Sequence, residues 1–181
     1  ACEDKIENKI FNLEICVCVY LTQTRHAQKA CAEMRIKMAS RIVETNSPED
    51  TFALGRQIGE QAKAGEVYTL IGDLGVGKTV FTQGLAAGLG IREAVNSPTF
   101  TIVQVYEDGR LPFYHFDVYR IGDVEEMDEV GYEDYIYGEG VSLIEWANLI
   151  TEILPEHYRQ ITIEKNPEKG FDYRKITIEE V

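Results

Sequence analysis

The alternation of apolar and polar residues divides most of the chain into helices and strands. Residues 47–50 read Ser-Pro-Glu-Asp, a helix-start signal, and apolar residues near helical spacing carry the predicted helix to about Lys63. The short apolar run 67–71 predicts a buried strand. A second helix is predicted from Lys78 to about Leu89, because a glycine suited to a C-cap follows it.

The second half of the chain predicts mainly strands. They are expected at about 101–107, 112–118, 141–145, 159–164 and 174–180, with a hairpin turn at Gly109 between the first two. Acid-rich helical stretches are expected at about 123–130 and 147–154. Helices that alternate with strands in this way predict an α/β domain built as a three-layer sandwich.

The connection between the 67–71 strand and the next helix carries the strongest chemical signal. Residues 72–79 read Gly-Asp-Leu-Gly-Val-Gly-Lys-Thr, a complete match to G-x-x-x-x-G-K-[ST] in the required strand–loop–helix context. The glycines let backbone amides converge on phosphate oxygens, and the helix N-terminus adds its positive dipole end. Lys78 is expected to reach the β- and γ-phosphates and Thr79 to coordinate Mg²⁺. The segment therefore predicts a P-loop that binds a nucleotide with magnesium.

Two acids stand where such a site needs them, at the ends of apolar strands. Asp117 lies near the end of the strand at 112–118, and Glu145 ends the strand at 141–145. Ligands of α/β sheets gather beyond the carboxyl ends of strands. One acid is expected to hold Mg²⁺ and the other to orient or deprotonate an attacking water, but the pattern does not assign the two roles.

Three further residues each have two interpretations. Thr99, in Ser-Pro-Thr-Phe, either senses the γ-phosphate or belongs to a turn that an X-Pro bond imposes. Trp146, the single tryptophan, either packs in the core or lies against the nucleotide. His115, within a strand, fits a core histidine better than a catalytic base.

The acidic balance limits how the protein can meet nucleic acid. The formal net charge is −13, whereas a grip on a phosphate backbone needs clustered Lys and Arg. Any action on nucleic acid is therefore expected to go through a basic partner. No apolar run approaches the roughly 20 residues that span a bilayer, so the sequence predicts a cytoplasmic protein without membrane contact.

Residues 1–37 differ in character from the remainder. All four cysteines lie before residue 32, and the pair Cys16 and Cys18 has the wrong spacing for a zinc knuckle. We therefore expect two regions, an N-terminal extension over 1–37 that is either native or a misplaced start, and a nucleotide-binding domain over 38–181. Met38 is the favoured natural start.

The motifs together resemble one family. The P-loop at 72–79, the Ser-Pro-Thr-Phe at 97–100, the stretch 114–120 (Tyr-His-Phe-Asp-Val-Tyr-Arg) and Ile-Glu-Trp at 144–146 are similar, in order and spacing, to the bacterial TsaE (YjeE) family. That family comprises small ATPases for the threonylcarbamoyladenosine modification of tRNA. The resemblance runs from about residue 47 to near the C-terminus, and it implies a P-loop NTPase sandwich with a mixed, mostly parallel sheet.

The resemblance also implies roles for single residues. It implies a weak, partner-dependent Mg²⁺-ATPase in which Lys78 and Asp117 are catalytic, while Thr79 and Glu145 hold the metal. It further implies ATP contacts from the loop and from more distant positions, namely Thr51, Asp73, Leu74, Gly75, Val76, Gly77, Lys78, Thr79, Thr99, Trp146 and Arg174. The implied partners are TsaD and TsaB, with tRNA held by their complex.

Two other functions fit a P-loop. A small-molecule or nucleoside kinase would need a lid with arginines over the phosphates, and no Arg or Lys occurs between Arg120 and Arg159. A nucleotide-sensing module without useful turnover is the third hypothesis. A GTPase is disfavoured because no Asn-Lys-x-Asp sequence follows the loop.

Overall fold

The computed structural model describes residues 40–181. The expected N-terminal extension over 1–37 and the proposed start at Met38 lie outside this range. The strands are β1 (Arg41–Thr45), β2 (Val67–Ile71), β3 (Val103–Tyr106), β4 (Phe113–Asp117), β5 (Val141–Glu145), β6 (Arg159–Lys165) and β7 (Arg174–Glu180). The α-helices are α1 (Pro48–Gln61), α2 (Lys78–Gly88), α3 (Glu126–Glu129) and α4 (Tyr132–Ile136), and two 3₁₀ helices cover Ala147–Leu149 and Thr151–Ile153.

The seven strands form one sheet in the order β1-β7-β6-β2-β5-β4-β3. The centre is parallel, since β2 pairs in parallel with β5 and β6, and β5 pairs in parallel with β4. Both flanks are antiparallel, through β1–β7, β6–β7 and β3–β4. The predicted mixed sheet is confirmed, with parallel pairing confined to its centre.

Each face of the sheet carries its own hydrophobic cluster. On one face, α1 and α2 pack over the sheet through Leu54, Phe81 and Leu85 against Leu70 and Leu143. On the other face, the shorter helices cover it with a cluster that includes Phe116, Ile144, Met127, Tyr132, Ile136 and Ile150. Two helical layers around one sheet make the predicted three-layer α/β sandwich.

Helices α1 and α2 touch backbone to backbone. A β-carbon added to Gly55 on α1 would overlap the carbonyl oxygen of Phe81, and one added to Gly84 on α2 would overlap that of Phe52. Only glycine permits such an approach, at a cost in helix propensity of about 1 kcal/mol per residue. The helix that follows the P-loop is therefore fixed closely against its neighbour.

Most predicted elements occur near their expected bounds. Helix α1 begins after Ser47, whose side chain accepts a hydrogen bond of 3.0 Å from the Asp50 amide, as expected for an N-cap. Two elements were not predicted: β1, an edge strand, and the short helix α4.

The two acid-rich helices were predicted too long. The helix expected at 123–130 is the single turn Glu126–Glu129, and the one expected at 147–154 is a pair of 3₁₀ turns. Apolar residues recur every three positions there, at Ala147, Ile150 and Ile153, and this spacing matches the three residues per turn of a 3₁₀ helix.

Within residues 40–181, no helix has both the length and the apolar character needed to cross a membrane.

Candidate functional site

The predicted P-loop connects β2 to the first turn of α2. Gly77 adopts a left-handed φ of 104° directly before the helix, a conformation that glycine reaches without steric cost. Val76 is buried, whereas Asp73, Leu74 and Gly75 are exposed at the tip of the loop. The N-terminus of helix α2 therefore lies just beyond the carboxyl end of β2, and a helix N-terminus suits an anion.

Lys78 is buried at the first position of α2. Its Nζ donates hydrogen bonds to the carbonyl oxygens of Gly72 (2.8 Å) and Asp73 (3.1 Å). Burial lowers the pKa of Lys78, and the nearby charges of Glu145 and Asp117 only partly oppose this effect. No ion pair joins its ammonium to an acid among residues 40–181, so the cation is held close to the loop and is bonded only to backbone oxygens.

Asp117 and Glu145 lie directly opposite each other. They are register partners on the adjacent parallel strands β4 and β5, at the carboxyl end of both. Both are almost completely buried, with 4% of Asp117 and 2% of Glu145 exposed. The structure thus brings the two predicted acids together at the carboxyl ends of the parallel strands, the same end at which β2 leads into the P-loop.

Asp117 is held by the segment that precedes β3. Its Oδ2 accepts hydrogen bonds from the Ser97 hydroxyl and from Thr99 Oγ1 (2.7 Å), and its Oδ1 accepts one from the Tyr119 amide (3.1 Å). The two hydroxyls also contact each other at 2.8 Å. Thr99 is therefore at the site, bonded to the predicted catalytic acid.

Glu145 is held by groups of the core. Its Oε1 lies 3.0 Å from His115 Nε2 and 3.4 Å from Thr82 Oγ1. Within the described residues, no hydrogen bond engages its second oxygen or the hydroxyl of half-buried Thr79. The predicted metal ligands thus each retain an oxygen without a protein partner.

Trp146 directly follows Glu145 in a left-handed conformation, with a φ of 63°. Lys78 Nζ lies 3.9 Å from the centroid of its ring, and the Tyr119 ring packs against it with centroids 4.9 Å apart. A non-glycine residue with positive φ costs of order 1–3 kcal/mol and persists only where its surroundings impose it. The half-buried indole is therefore held beside the P-loop lysine.

Arg174 reaches the loop from the last strand. Its Nε donates to the Val76 carbonyl at 2.6 Å, and its guanidinium also bonds the carbonyls of Phe171 and Tyr173. The structure brings Arg174 to the P-loop, and its contact with ATP stays a prediction.

Thr51, in the first turn of helix α1, bonds to residues that precede the helix. Its Oγ1 lies 2.8 Å from Thr45 Oγ1 and 3.3 Å from the Ser47 carbonyl oxygen, so it ties β1 to the first turn of α1. No hydrogen bond of the described residues joins Thr51 to the P-loop, and its ATP contact remains a prediction.

Two residues of the site were not predicted to belong to it, namely His115 and Thr82. Residues two apart in a strand share a face of the sheet, so the position of His115 two residues before Asp117 could have predicted that it faces the site. Thr82 lies three residues beyond Thr79 on the same helix, outside the P-loop motif, and no sequence pattern marks it as a site residue. Arg120, three residues beyond Asp117, lies over the Phe100 ring at 4.2 Å and forms no ion pair with Asp117 within the described range.

A metal site made entirely of His, Cys, Asp and Glu does not occur in residues 40–181. Mg²⁺ is usually bound through one or two carboxylates together with phosphates and water. The donor set of the site fits a magnesium nucleotide. The unengaged oxygen of Glu145 and the Thr79 hydroxyl suit the metal, and Lys78 and the N-terminus of α2 suit the phosphates.

The comparison with known proteins agrees with this geometry. The family model "Threonylcarbamoyl adenosine biosynthesis protein TsaE" matches residues 45–176. A tRNA threonylcarbamoyladenosine biosynthesis protein TsaE from Bacillus subtilis is 52% identical over 133 residues, covering 74% of this chain and 81% of the relative. The protein of the same name from Treponema pallidum is 43% identical over 119 residues, covering 66% of this chain and 87% of the relative.

A solved structure also resembles this chain. The crystal structure of Bacillus subtilis YdiB superimposes with a TM-score of 0.67 at 45% sequence identity, covering 77% of this chain and 84% of that chain. The family match includes the P-loop, both acids and Arg174. The chain therefore belongs to the TsaE family.

Proposed function

We propose that this chain binds ATP with Mg²⁺ and hydrolyses it slowly as part of the machinery that makes N6-threonylcarbamoyladenosine in bacterial tRNA. The observation that supports this most strongly is the pair of buried acids, Asp117 and Glu145, at opposite register positions beside a complete P-loop. The pathway itself is inferred from the names of the relatives, which are tRNA threonylcarbamoyladenosine biosynthesis proteins.

The metal assignment follows from which oxygens remain available. Thr79 and Glu145 would hold Mg²⁺, since each has an oxygen that no described protein group engages. When bound, the ion would supply positive charge that neutralises the phosphates. Lys78, bonded only to two carbonyl oxygens, can transfer its N–H donors to phosphate oxygens without breaking an ion pair.

The hydrolytic role falls to Asp117. As a carboxylate it accepts hydrogen bonds, so it can orient a water molecule or take its proton. Its Oδ2 accepts bonds from two hydroxyls and its Oδ1 accepts one from an amide. A carboxylate has about four lone-pair sites, so Oδ1 can still accept a hydrogen bond from a water molecule.

The charge of the protein supports an indirect relation to tRNA. A chain of net charge −13 provides little of the cationic surface that phosphate backbones need. We propose that a complex of TsaD and TsaB holds the tRNA and that this chain acts on that complex, in the cytoplasm, to allow it to turn over.

The decisive experiment measures phosphate release from ATP with and without the purified TsaD–TsaB complex. We expect slow release by the chain alone and faster release with the complex. Lys78→Ala should abolish nucleotide binding or turnover, whereas the matched control Lys63→Ala, at an exposed lysine without a described side-chain partner, should leave both unchanged.

Two results would contradict the proposal. Phosphorylation of a small acceptor, without any effect of TsaD–TsaB, would favour a small-molecule kinase. Nucleotide binding without phosphate release under either condition would favour a nucleotide-sensing module.

A further inference from the structure

His115 contains a buried polar atom that lacks a partner. The residue is fully buried in β4, and its Nδ1 has no hydrogen bond within the described range. Its ring stacks on Phe113, with centroids 6.0 Å apart and planes 15° apart. A buried unsatisfied nitrogen needs an explanation, because most such atoms in native proteins are paired.

The single partner of the ring determines which nitrogen carries the proton. Nε2 lies 3.0 Å from Oε1 of Glu145. A carboxylate that is to hold a cation is ionised, and an ionised carboxylate only accepts hydrogen bonds. Nε2 therefore donates its N–H to Oε1, while Nδ1 has no hydrogen-bond partner within the described range.

The second neighbour of Oε1 cannot replace this donor. Thr82 Oγ1 lies 3.4 Å from Oε1 but only 3.0 Å from the carbonyl oxygen of Lys78. A hydroxyl has one proton to donate, and the shorter bond to the helix carbonyl takes it. Within the described residues, His115 is thus the one committed donor to the Glu145 carboxylate.

We propose that His115 is a positioning residue for the metal site. Its Nε2–H fixes Oε1 of Glu145, which leaves the other carboxylate oxygen for Mg²⁺. The inference rests on the proposed function, in which Glu145 holds the metal. Because the ring is buried and stacked on Phe113, Nε2 keeps its position, and the Glu145 carboxylate keeps one orientation. Donors that orient metal ligands in this way are typically worth 10–100-fold in metal affinity.

The first test compares His115→Phe with His115→Gln. Phenylalanine keeps the ring but removes the donor, whereas the glutamine amide can place an N–H near the position of Nε2. We expect His115→Phe to raise the half-saturating Mg²⁺ concentration for nucleotide binding by about 10-fold or more, with nucleotide affinity in the absence of Mg²⁺ unchanged.

His115→Gln should restore most of the Mg²⁺ affinity, and His157→Gln, at an exposed histidine, should match the unmodified protein. The fluorescence of Trp146, the single tryptophan, reports binding of a non-hydrolysable ATP analogue without requiring turnover. Circular dichroism checks that each variant is folded. Equal Mg²⁺ affinities for His115→Phe and the unmodified protein, or for His115→Phe and His115→Gln, would overturn the proposal.

The second test reads the ring directly and needs neither metal nor ATP. Long-range ¹H–¹⁵N correlation spectra of the full chain should show His115 as the tautomer protonated at Nε2. Glu145→Gln should shift the Nε2 resonance, whereas Asp128→Asn, at an exposed acid, should not. A ring protonated at Nδ1 would refute the proposed contact.

The two proposals fail in different ways. An Nε2–H tautomer together with the expected Mg²⁺ shifts, but no effect of TsaD–TsaB on hydrolysis, would reject only the proposed function. Stimulation by the complex combined with an Nδ1–H ring would reject only the role of His115.

Discussion

The surroundings of Asp117 and Glu145 differ, although the two acids are register partners and both are almost fully buried. The partners of Glu145 come from β4 and α2, both part of the packed core. The hydroxyl partners of Asp117 come from residues 97–99, in an irregular segment between α2 and β3. One acid is thus held by groups of the packed core and the other by an irregular connection.

The segment that holds Asp117 also contains backbone strain. Ile102 has a φ of 65°, rare for a β-branched residue, and its carbonyl accepts the Asp117 amide at 2.9 Å. Thr99 has a single proton, so it must release Asp117 if it is to donate to a γ-phosphate. The contrast teaches that the proposed catalytic acid and the proposed metal-holding acid share one end of the sheet but are held by different kinds of structure.

The largest expected effect separates the roles of the two acids. Asp117→Asn should lower ATP turnover by about 10²–10⁴-fold, the usual contribution of a general base, with an unchanged Mg²⁺ requirement. Glu145→Gln should instead raise the Mg²⁺ concentration needed for nucleotide binding. Phosphate release and Trp146 fluorescence at varied Mg²⁺ measure both, with Asp128→Asn as the control. The same Mg²⁺ shift in both variants would show that the roles are not divided.

A smaller effect, on stability, is expected from removing the hydroxyl groups beside the two acids: Ser97 beside Asp117 and Thr82 beside Glu145. Ser97→Ala should lower the free energy of unfolding by about 1.5–3 kcal/mol, because it removes a hydrogen bond to a buried carboxylate. Thr82→Val should cost about 1 kcal/mol, because its hydroxyl is committed to a backbone carbonyl. Urea unfolding of the nucleotide-free protein measures both variants. If Thr82→Val lowered the free energy of unfolding more than Ser97→Ala, the assignment of the Thr82 proton to the backbone carbonyl would be wrong.

The smallest effect tests the strain at Ile102. Ile102→Gly removes the apolar contacts of the side chain but relieves the positive φ, whereas Ile102→Ala removes nearly the same contacts and keeps that φ. We expect Ile102→Gly to be less destabilising than Ile102→Ala by about 1 kcal/mol in urea unfolding. If Ile102→Gly costs as much as Ile102→Ala, the strain carries no measurable energy.

The parts of the molecule that sequence could predict are those fixed by local chemistry. The P-loop needs adjacent glycines, a lysine and a helix start, so eight consecutive residues define it. Strands β2, β5 and β7 were predicted with their observed bounds, since each is a short run with a clear strand pattern. The two acids were predicted from strand ends, and their opposite register agrees with that expectation.

The missed features depend on contacts between distant segments. Strand β1 exists through its antiparallel pairing with β7, more than 120 positions away on the chain, and its own five residues show no clear alternation. The contact of His115 with Glu145 spans 30 positions, and that of Thr82 with Glu145 spans 63. No local pattern encodes such distances, because they follow from strand order in the sheet.

The glycine contacts between α1 and α2 have a mechanical consequence. With the carbonyl groups of each helix seated against the glycines of the other, a lateral shift of α2 would force backbone atoms into overlap. The start of α2, with Lys78 and Thr79, is therefore braced against α1, so these two residues keep a fixed position relative to that helix.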